Sequence, residues 1–274
     1  MTDPGATIQP LLSVVISAHD EGSQITGVLD GVFSSVRTSC EVLVVVDSRA
    51  DSTAGAVVSY AAAEPRLTCL VNPGGGGSAG AIRFGMAAAK APVIVVMAAG
   101  GTDDPQLVDE LAALVRRGAV VASASRYASG ASGVPAIGRG WRPFLTAALS
   151  RFAGRSLDLV ARAGTCDATY PFKAYSAQFA RTVAVEAARG DQIGIELTAK
   201  ARRLRLPVAE IPVTFPPVGP GRRAAPSGLA LARALPGYLR WYLFCFGPSL
   251  TPGRLAAHRP KGWPDASRAA AAQD

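Results

Sequence analysis

A chain of 274 residues that is 49% hydrophobic and 18% charged is long enough for one large α/β domain or two small ones, and a real core is expected. Its 28 Lys and Arg against 20 Asp and Glu give a net charge of +8, largely from Arg, which suits a nucleotide, a lipid phosphate, an anionic membrane face or a nucleic acid. Four Cys without a CxxC pair exclude a zinc pattern, and with no basic-then-apolar start and no run of about 18 apolar residues, a cytoplasmic protein without a spanning helix is expected.

The first apolar run, Leu11–Ala18, reads as a buried strand and leads into Ser17-Ala18-His19-Asp20-Glu21-Gly22. Polar groups at the carboxyl end of a first strand are placed to hold a base and ribose, and His19 can stack there or hydrogen-bond. Asp20 and Glu21 also suit the start of the next helix, Ile25–Ser35. The second strand, Val42–Val46, delivers Asp47 and Ser48 to the same edge, where a carboxylate can accept a hydrogen bond from a nucleobase N–H. Asp51 or Ser52 reads more simply as the cap of a helix over Ser52–Ala63.

The third strand, Leu67–Val71, runs into Gly75-x-Gly77-x-x-Gly80 and a helix over Ala79–Lys90. A dinucleotide fingerprint has this spacing, but it belongs after a first strand, and Ala98 and Ala99 stand where its ribose-binding acid is needed. What remains is a turn that lets a ligand approach the backbone closely. The fourth strand, Val93–Met97, is followed by two glycines and the adjacent carboxylates Asp103 and Asp104 just before Pro105. Such a pair suits a divalent cation carrying a phosphorylated substrate; it also suits the cap and first turn of the helix Pro105–Arg117. Arg126, after a fifth strand at Ala119–Ala122, is placed as a phosphate fork or in an ordinary surface salt bridge.

Strands alternating with helices argue for a mostly parallel sheet with helices on both faces. Beyond Tyr127 the expectations are a glycine-rich loop at Gly130–Gly140, an amphipathic helix over Trp141–Arg162, and a short strand or turn within Cys166–Tyr175. Helices at Ser176–Ala188 and Gly194–Leu204 and a strand at Val208–Val213 follow. Pro216–Pro226 is a basic loop carrying Arg222 and Arg223. Leu229–Phe246 has an apolar face with Arg233 and Arg240 at its margin and a bend at Pro236. It fits an interfacial helix on an anionic leaflet, or packing against the core or a partner. Basic residues are scattered rather than striped and no recognition helix is evident, so nucleic acid is not expected as a partner.

The order of these pieces carries a resemblance. Ser-Ala-His-Asp-Glu from Ser17, Val45-Val46-Asp47-Ser48, the glycine-rich turn with Ala81-x-Arg83-x-Gly85, the acid-bearing strand end and Ser125-Arg126-Tyr127 resemble the family 2 glycosyltransferases of the GT-A fold. Trp141, Ser150-Arg151-Phe152-Ala153-Gly154, Asp167-Ala168-Thr169-Tyr170-Pro171-Phe172-Lys173-Ala174-Tyr175, Ile195-Glu196-Leu197 and Ala209–Phe215 make the chain more similar to the dolichol- or polyprenyl-phosphate mannosyl/glucosyl transferases. The likeness spans residues 12–228.

The resemblance implies a GT-A, Rossmann-like domain over 1–226; the apolar pattern puts an apolar or amphipathic helix over 227–250, and Ala-, Pro- and Arg-rich composition a disordered tail over 251–274. It implies inverting transfer of a hexose from a nucleoside-diphosphate sugar to a polyprenyl phosphate, at the inner face of an anionic membrane. Donor contacts would come from Ala18, His19, Asp20, Glu21, Asp47, Ser48, Gly77, Arg83, Ala99, Gly100, Arg222 and Arg223. Asp103 and Asp104 would hold Mg2+ or Mn2+, weakly, because Ala98 and Gly100 replace the family's Asp-x-Asp acids. Asp104, Asp167 and Arg126 would be catalytic, with Asp167 the base if the acceptor is a hydroxyl. Arg126, Arg151 and Lys173 would position an acceptor phosphate. The family's Lys after the last strand is missing from Arg222-Arg223-Ala224-Ala225-Pro226-Ser227-Gly228, and His19-Asp20 replaces its usual Tyr-Asn. The empty acid positions keep a second reading open: a degenerate domain that binds nucleotide sugar or a partner without turnover.

Overall fold

The computed structural model describes residues 9–131, 151–152, 154–160, 162–213 and 228–248, the last stretch with side chains from 235 onward. Seven strands form one sheet in the order β3-β2-β1-β4-β6-β5-β7. These are β1 (Leu12–Ser17), β2 (Cys40–Val46), β3 (Leu67–Val71), β4 (Val93–Ala98), β5 (Val121–Ser125), β6 (Lys173–Ser176) and β7 (Val208–Pro212). Strands β1, β2 and β4 are nearly continuous Val, Ile and Leu because helices cover both of their faces. Ser17 lies opposite Val45 on one side and Ala98 on the other, so the loops after β1, β2 and β4 leave the sheet at one rim.

Helices α1 (Gln24–Ser35), α2 (Ser52–Ala61) and α4 (Val108–Arg116) bury their apolar stripes on one face of the sheet. Helices α3 (Gly77–Ala88), α5 (Ala177–Thr182) and α6 (Gly190–Arg203) cover the other. Helix α7 (Gly228–Cys245) packs Trp241 and Cys245 against Leu157, Ile195 and Ala199, outside α6.

One feature departs from simple alternation. Strand β6 lies between β4 and β5 and is antiparallel to both, while β5 and β7 are parallel. Arg126 therefore leaves the rim one strand farther from β4 than a purely parallel order would place it, and β6 enters the sheet beside it. The expected helix Ser176–Ala188 is helical only over Ala177–Thr182; farther on, Glu196 accepts the N–H groups of Glu186 and Ala187 at 2.6 and 2.7 Å and holds that segment out of a helix. The fifth strand runs Val121–Ser125 rather than Ala119–Ala122. Trp141, Arg222, Arg223, most of the Gly130–Gly140 segment, the basic loop and the tail lie outside the described residues.

Gly80 shows why the glycine-rich turn needs its composition. A Cβ on Gly80 would stand 2.0 Å from the Gly75 carbonyl oxygen, and Gly75, Gly76 and Gly77 all have positive φ. Gly80→Ala is expected to destabilise the chain by about 1–3 kcal/mol through overpacking, as measured by denaturant unfolding; unchanged stability would show that the turn yields.

Candidate functional site

At the end of β1 the backbone turns sharply. Asp20 has φ 53°, and its N–H points at both carboxylate oxygens of Asp51, 3.2 and 3.1 Å away. Asp51 also accepts the Thr53 N–H at 2.8 Å as the cap of α2. Burial pushes the Asp51 carboxyl up, but the Thr53 and Asp20 hydrogen bonds outweigh it and hold the group below its ordinary value. The expected cap is thus also the post that shapes the loop carrying His19 and Asp20. Glu21 is buried, and its N–H donates to Thr53 Oγ1 at 3.0 Å.

His19 is 74% exposed, with Nδ1 3.9 Å from Asp47 Oδ2 and 3.7 Å from Asp51 Oδ2. The other Asp47 oxygen, Oδ1, is buried and has no hydrogen-bond partner. A buried carboxylate oxygen without a donor is costly and rare. It sits at the rim position from which a nucleobase N–H can be met. Ser48, beside it, accepts the Ala50 N–H at 3.0 Å through its hydroxyl.

The glycine-rich turn lies at the end of β3. Its organiser, Asn72, was not singled out in the sequence: Nδ2 donates to the Gly75 carbonyl at 2.7 Å and Oδ1 accepts the Gly74 N–H at 3.2 Å. An Asn followed within three residues by glycines is the signal that would have found it. Gly77 opens α3 with its backbone exposed, and Arg83 crosses to the Ala187 carbonyl at 2.8 Å.

After β4, the two adjacent acids part company. Asp103 turns inward: one oxygen accepts the Ala98 N–H and the other the Tyr170 hydroxyl, both at 2.7 Å. Burial raises its pKa despite those donors. Asp103, expected as a metal ligand, is buried with one donor on each oxygen, an arrangement that does not favour ligation. Asp104 is half-buried and caps the short 3-10 turn Pro105–Leu107 by accepting the Gln106 N–H at 3.0 Å. Ala99, Gly100 and Asp103 face Gln24, Gly27 and Val28 of α1 across a cavity of about 360 Å³. Asp103→Asn keeps both bonds, since an amide can accept from Ala98 and donate to the Tyr170 oxygen. Its expected effect on stability is under about 1 kcal/mol, with any divalent-cation response unchanged in a melting titration; loss of that response would restore Asp103 as a ligand.

The other side of the rim is a buried network. Arg126 clamps Asp167 with Nε to Oδ2 at 2.7 Å and Nη2 to Oδ1 at 2.8 Å, and its own N–H reaches Oδ2 at 3.0 Å. Its guanidinium lies over the rings of Tyr170 and Tyr127, 5.0 and 5.2 Å from their centroids. Tyr170 thus joins Asp103 to Arg126. Although burial acts to raise the Asp167 carboxyl, the Arg126 guanidinium holds it below its ordinary range. Both Asp167 oxygens are bound and a lowered pKa weakens proton abstraction, an arrangement that does not favour the expected base role. Asp167 fixes the position of the Arg126 guanidinium through these bonds. Lys173, expected to touch an acceptor, is fully buried beneath the rim, where its ammonium donates to Ser123 Oγ and to the Asp167 carbonyl at 2.9 Å. Burial pushes it down to about 8.

Arg151 stacks on the other contact of this network, its guanidinium 5.5 Å from the Tyr127 centroid. From there the helical residues 154–159 run beside α7, with Ser156 Oγ 2.8 Å from Tyr242 Oη. Phe152, Leu159 and Val160 on one helix and Leu235, Leu239, Leu243 and Phe246 on the other remain exposed. The rim therefore brings together His19, Asp20, Asp47 and Asp51 on one side and Asp103, Tyr170, Arg126 and Arg151 on the other, with Ser17 opposite Ala98 between them. Among the described residues no group of three or more His, Cys, Asp or Glu is arranged to hold a metal. A weakly held Mg2+ or Mn2+ fits only the mode in which one or two carboxylates and the substrate's phosphates complete the shell, with Asp104 as the carboxylate.

The family model for glycosyl transferase family 2 matches residues 13–184, more than half of the chain. No curated protein matches it. Among solved structures the chain is similar to glucosyl-3-phosphoglycerate synthase from Mycobacterium tuberculosis in complex with UDP: 19% identity and a TM-score of 0.61 over 87% of this chain and 81% of that one. The same enzyme with Mn2+, UDP-glucose and phosphoglyceric acid gives a TM-score of 0.60 at 19% identity over the same shares. Mannosyltransferase PcManGT from Pyrobaculum calidifontis, with GDP-Man and Mn2+, gives 0.54 at 17% identity over 97% and 75%. At these identities the likeness is one of fold.

Proposed function

The chain belongs to glycosyl transferase family 2, and we propose that it moves a hexose, with inversion, from a nucleoside-diphosphate sugar to a polyprenyl phosphate at an anionic membrane face. The observation that carries the donor half is the buried, unpartnered Asp47 Oδ1 at the rim. A uracil or guanine N–H supplies the donor that this oxygen lacks. His19, exposed above it, is placed to stack on the base or ribose. The similar structures hold UDP, UDP-glucose or GDP-mannose, which supports the same ligand class here.

The acceptor half rests on what Asp167 is doing. With that carboxylate clamped by Arg126, Asp167 is not open for proton abstraction. A phosphate acceptor is already a nucleophile and needs no base. Its oxygen attacks the anomeric carbon opposite the leaving group, and the bond to the donor diphosphate breaks with its electron pair. Arg126 and Arg151 hold the acceptor anion in line. A divalent cation held by Asp104, when bound, offsets charge growing on the departing diphosphate.

Lipid is favoured over a soluble acceptor by the apolar flank that begins beside Arg151, at Phe152, and continues along Leu235, Leu239, Leu243 and Phe246. Among the described residues no helix is long and apolar enough to cross a membrane, so contact would be at the surface. The test is a transfer assay with UDP- and GDP-hexoses, offering polyprenyl phosphate in anionic vesicles or phosphoglyceric acid in solution. Glycosylated lipid is the expected product. Product on phosphoglyceric acid alone would replace the lipid reading; nucleotide binding without any transfer would establish the non-catalytic one.

A further inference from the structure

Tyr170 touches both the loop after β4 and the arginine after β5. It lies between the turn at 168–169 and β6, and it is 7% exposed. Its hydroxyl donates to Asp103 Oδ1 at 2.7 Å, and its ring centroid is 5.0 Å from the Arg126 guanidinium. Fully buried Phe172 meets that ring edge-on, with centroids 6.4 Å apart, so the ring is braced from the side of β6.

The hydroxyl acts on a loop. Asp103 Oδ2 accepts the Ala98 N–H at 2.7 Å, which closes residues 98–103 into a ring. Ala99 and Gly100, read from the sequence as donor contacts, lie inside it, with Gly101 at φ 66°. Adjacent glycines lose much backbone freedom on ordering, so such a loop keeps one shape only if its closures hold. Tyr170 is the second donor on the carboxylate that closes it. The ring of Tyr170 acts on Arg126. That guanidinium is held in its plane by two bonds to Asp167 and across its face by the phenol ring.

The two ends of this bridge come from different strands. The loop follows β4 and Arg126 follows β5, and β6 lies between those strands in the sheet. The residue that spans them stands on the segment entering β6. In-line transfer needs the attacking oxygen and the leaving diphosphate on opposite sides of one carbon, and a misplacement of about 1 Å costs on the order of 100-fold in rate.

We propose that Tyr170 is a positioning residue for transfer: its hydroxyl fixes the loop after β4, its ring fixes the Arg126 guanidinium, and donor and acceptor are thereby held at one separation. The role rests on hexose transfer at this rim, with either acceptor. The test compares the full chain with Tyr170→Phe, which keeps the ring, and Tyr170→Leu, which removes ring and hydroxyl. Transfer from UDP- and GDP-hexoses is measured on polyprenyl phosphate in anionic vesicles and on phosphoglyceric acid, with nucleotide affinity by calorimetry and the melting midpoint of each chain. Tyr170→Phe is expected to lower kcat about tenfold or more while both KM values and nucleotide affinity stay native. Its midpoint falls by roughly 2–4 °C, the cost of one hydrogen bond. Tyr170→Leu is expected to lose as much kcat and also to raise the acceptor KM roughly fivefold, because Arg126 loses the face it rests on. An unchanged kcat in Tyr170→Phe, whatever its midpoint, makes the hydroxyl structural and overturns the role while the transfer reading stands. A nucleotide affinity that falls as far as kcat overturns it too, since the hydroxyl then serves binding. A native chain that transfers to neither acceptor overturns the role together with the transfer reading. Tyr170→Phe decides alone if the leucine variant does not fold.

Discussion

An Arg126→Ala chain should melt roughly 10 °C below the native one. The Asp167 side chain is fully buried, and Arg126 gives it both arms of a bidentate clamp. Removing the guanidinium leaves an uncompensated carboxylate inside the protein, which costs about 3–5 kcal/mol. In a chain of this size each kcal/mol moves the midpoint by about 2–4 °C. The Arg126→Ala/Asp167→Ala double variant should recover much of the loss, because it removes the stranded charge as well. The effect also has a sign in pH. Asp167 ionises below its ordinary value of 3.8 in the folded chain, so the pair stabilises the protein above that value and the benefit fades as pH falls through the lower folded value. In the variant the carboxyl is buried without its partner and takes up a proton sooner, so the gap between the two chains narrows on acidification. Calorimetric melts at several pH values check this; a double variant as unstable as the single one would place the loss elsewhere.

Asp47→Ala should have opposite effects on binding and stability. A nucleobase hydrogen bond to a charged acceptor contributes about 1.5–3 kcal/mol, so nucleotide affinity falls about 10- to 100-fold. Without nucleotide, the midpoint should stay the same or rise, since Oδ1 has no partner to lose. Titration calorimetry and melting on one preparation separate the two. Unchanged affinity with a lowered midpoint would make Asp47 a structural residue only.

Much of the fold was legible because parallel strands buried on both faces leave uninterrupted Val and Ile runs, as in β2 and β4. Strand β6 has no such run and was expected only as a short strand or turn within Cys166–Tyr175: it has four residues, one of them a fully buried lysine, and it is held by pairing with strands far away in sequence. The rim was readable as a set of strand ends, and His19, Asp47, Asp51 and Arg126 stand there. Which acid does what was not readable. Asp103 and Asp104 are neighbours of the same type, and only Tyr170, 67 residues on, separates their roles. Arg126 and Asp167 meet across 41 residues, a contact fixed by how β6 enters the sheet. The buried Glu196–Lys200 pair is different. Its four-residue spacing on one helix was a local signal for an ion pair, and their side chains are 0% and 1% exposed.

The most direct measurement is a melting series with UDP-, GDP-, dTDP- and CDP-sugars, each with and without Mn2+. At least one nucleotide must raise the midpoint in proportion to the logarithm of its concentration, by mass action, and the rise must shrink in the Asp47→Ala chain. A flat midpoint across all four donors, with and without the cation, would contradict a nucleotide-sugar site at the rim.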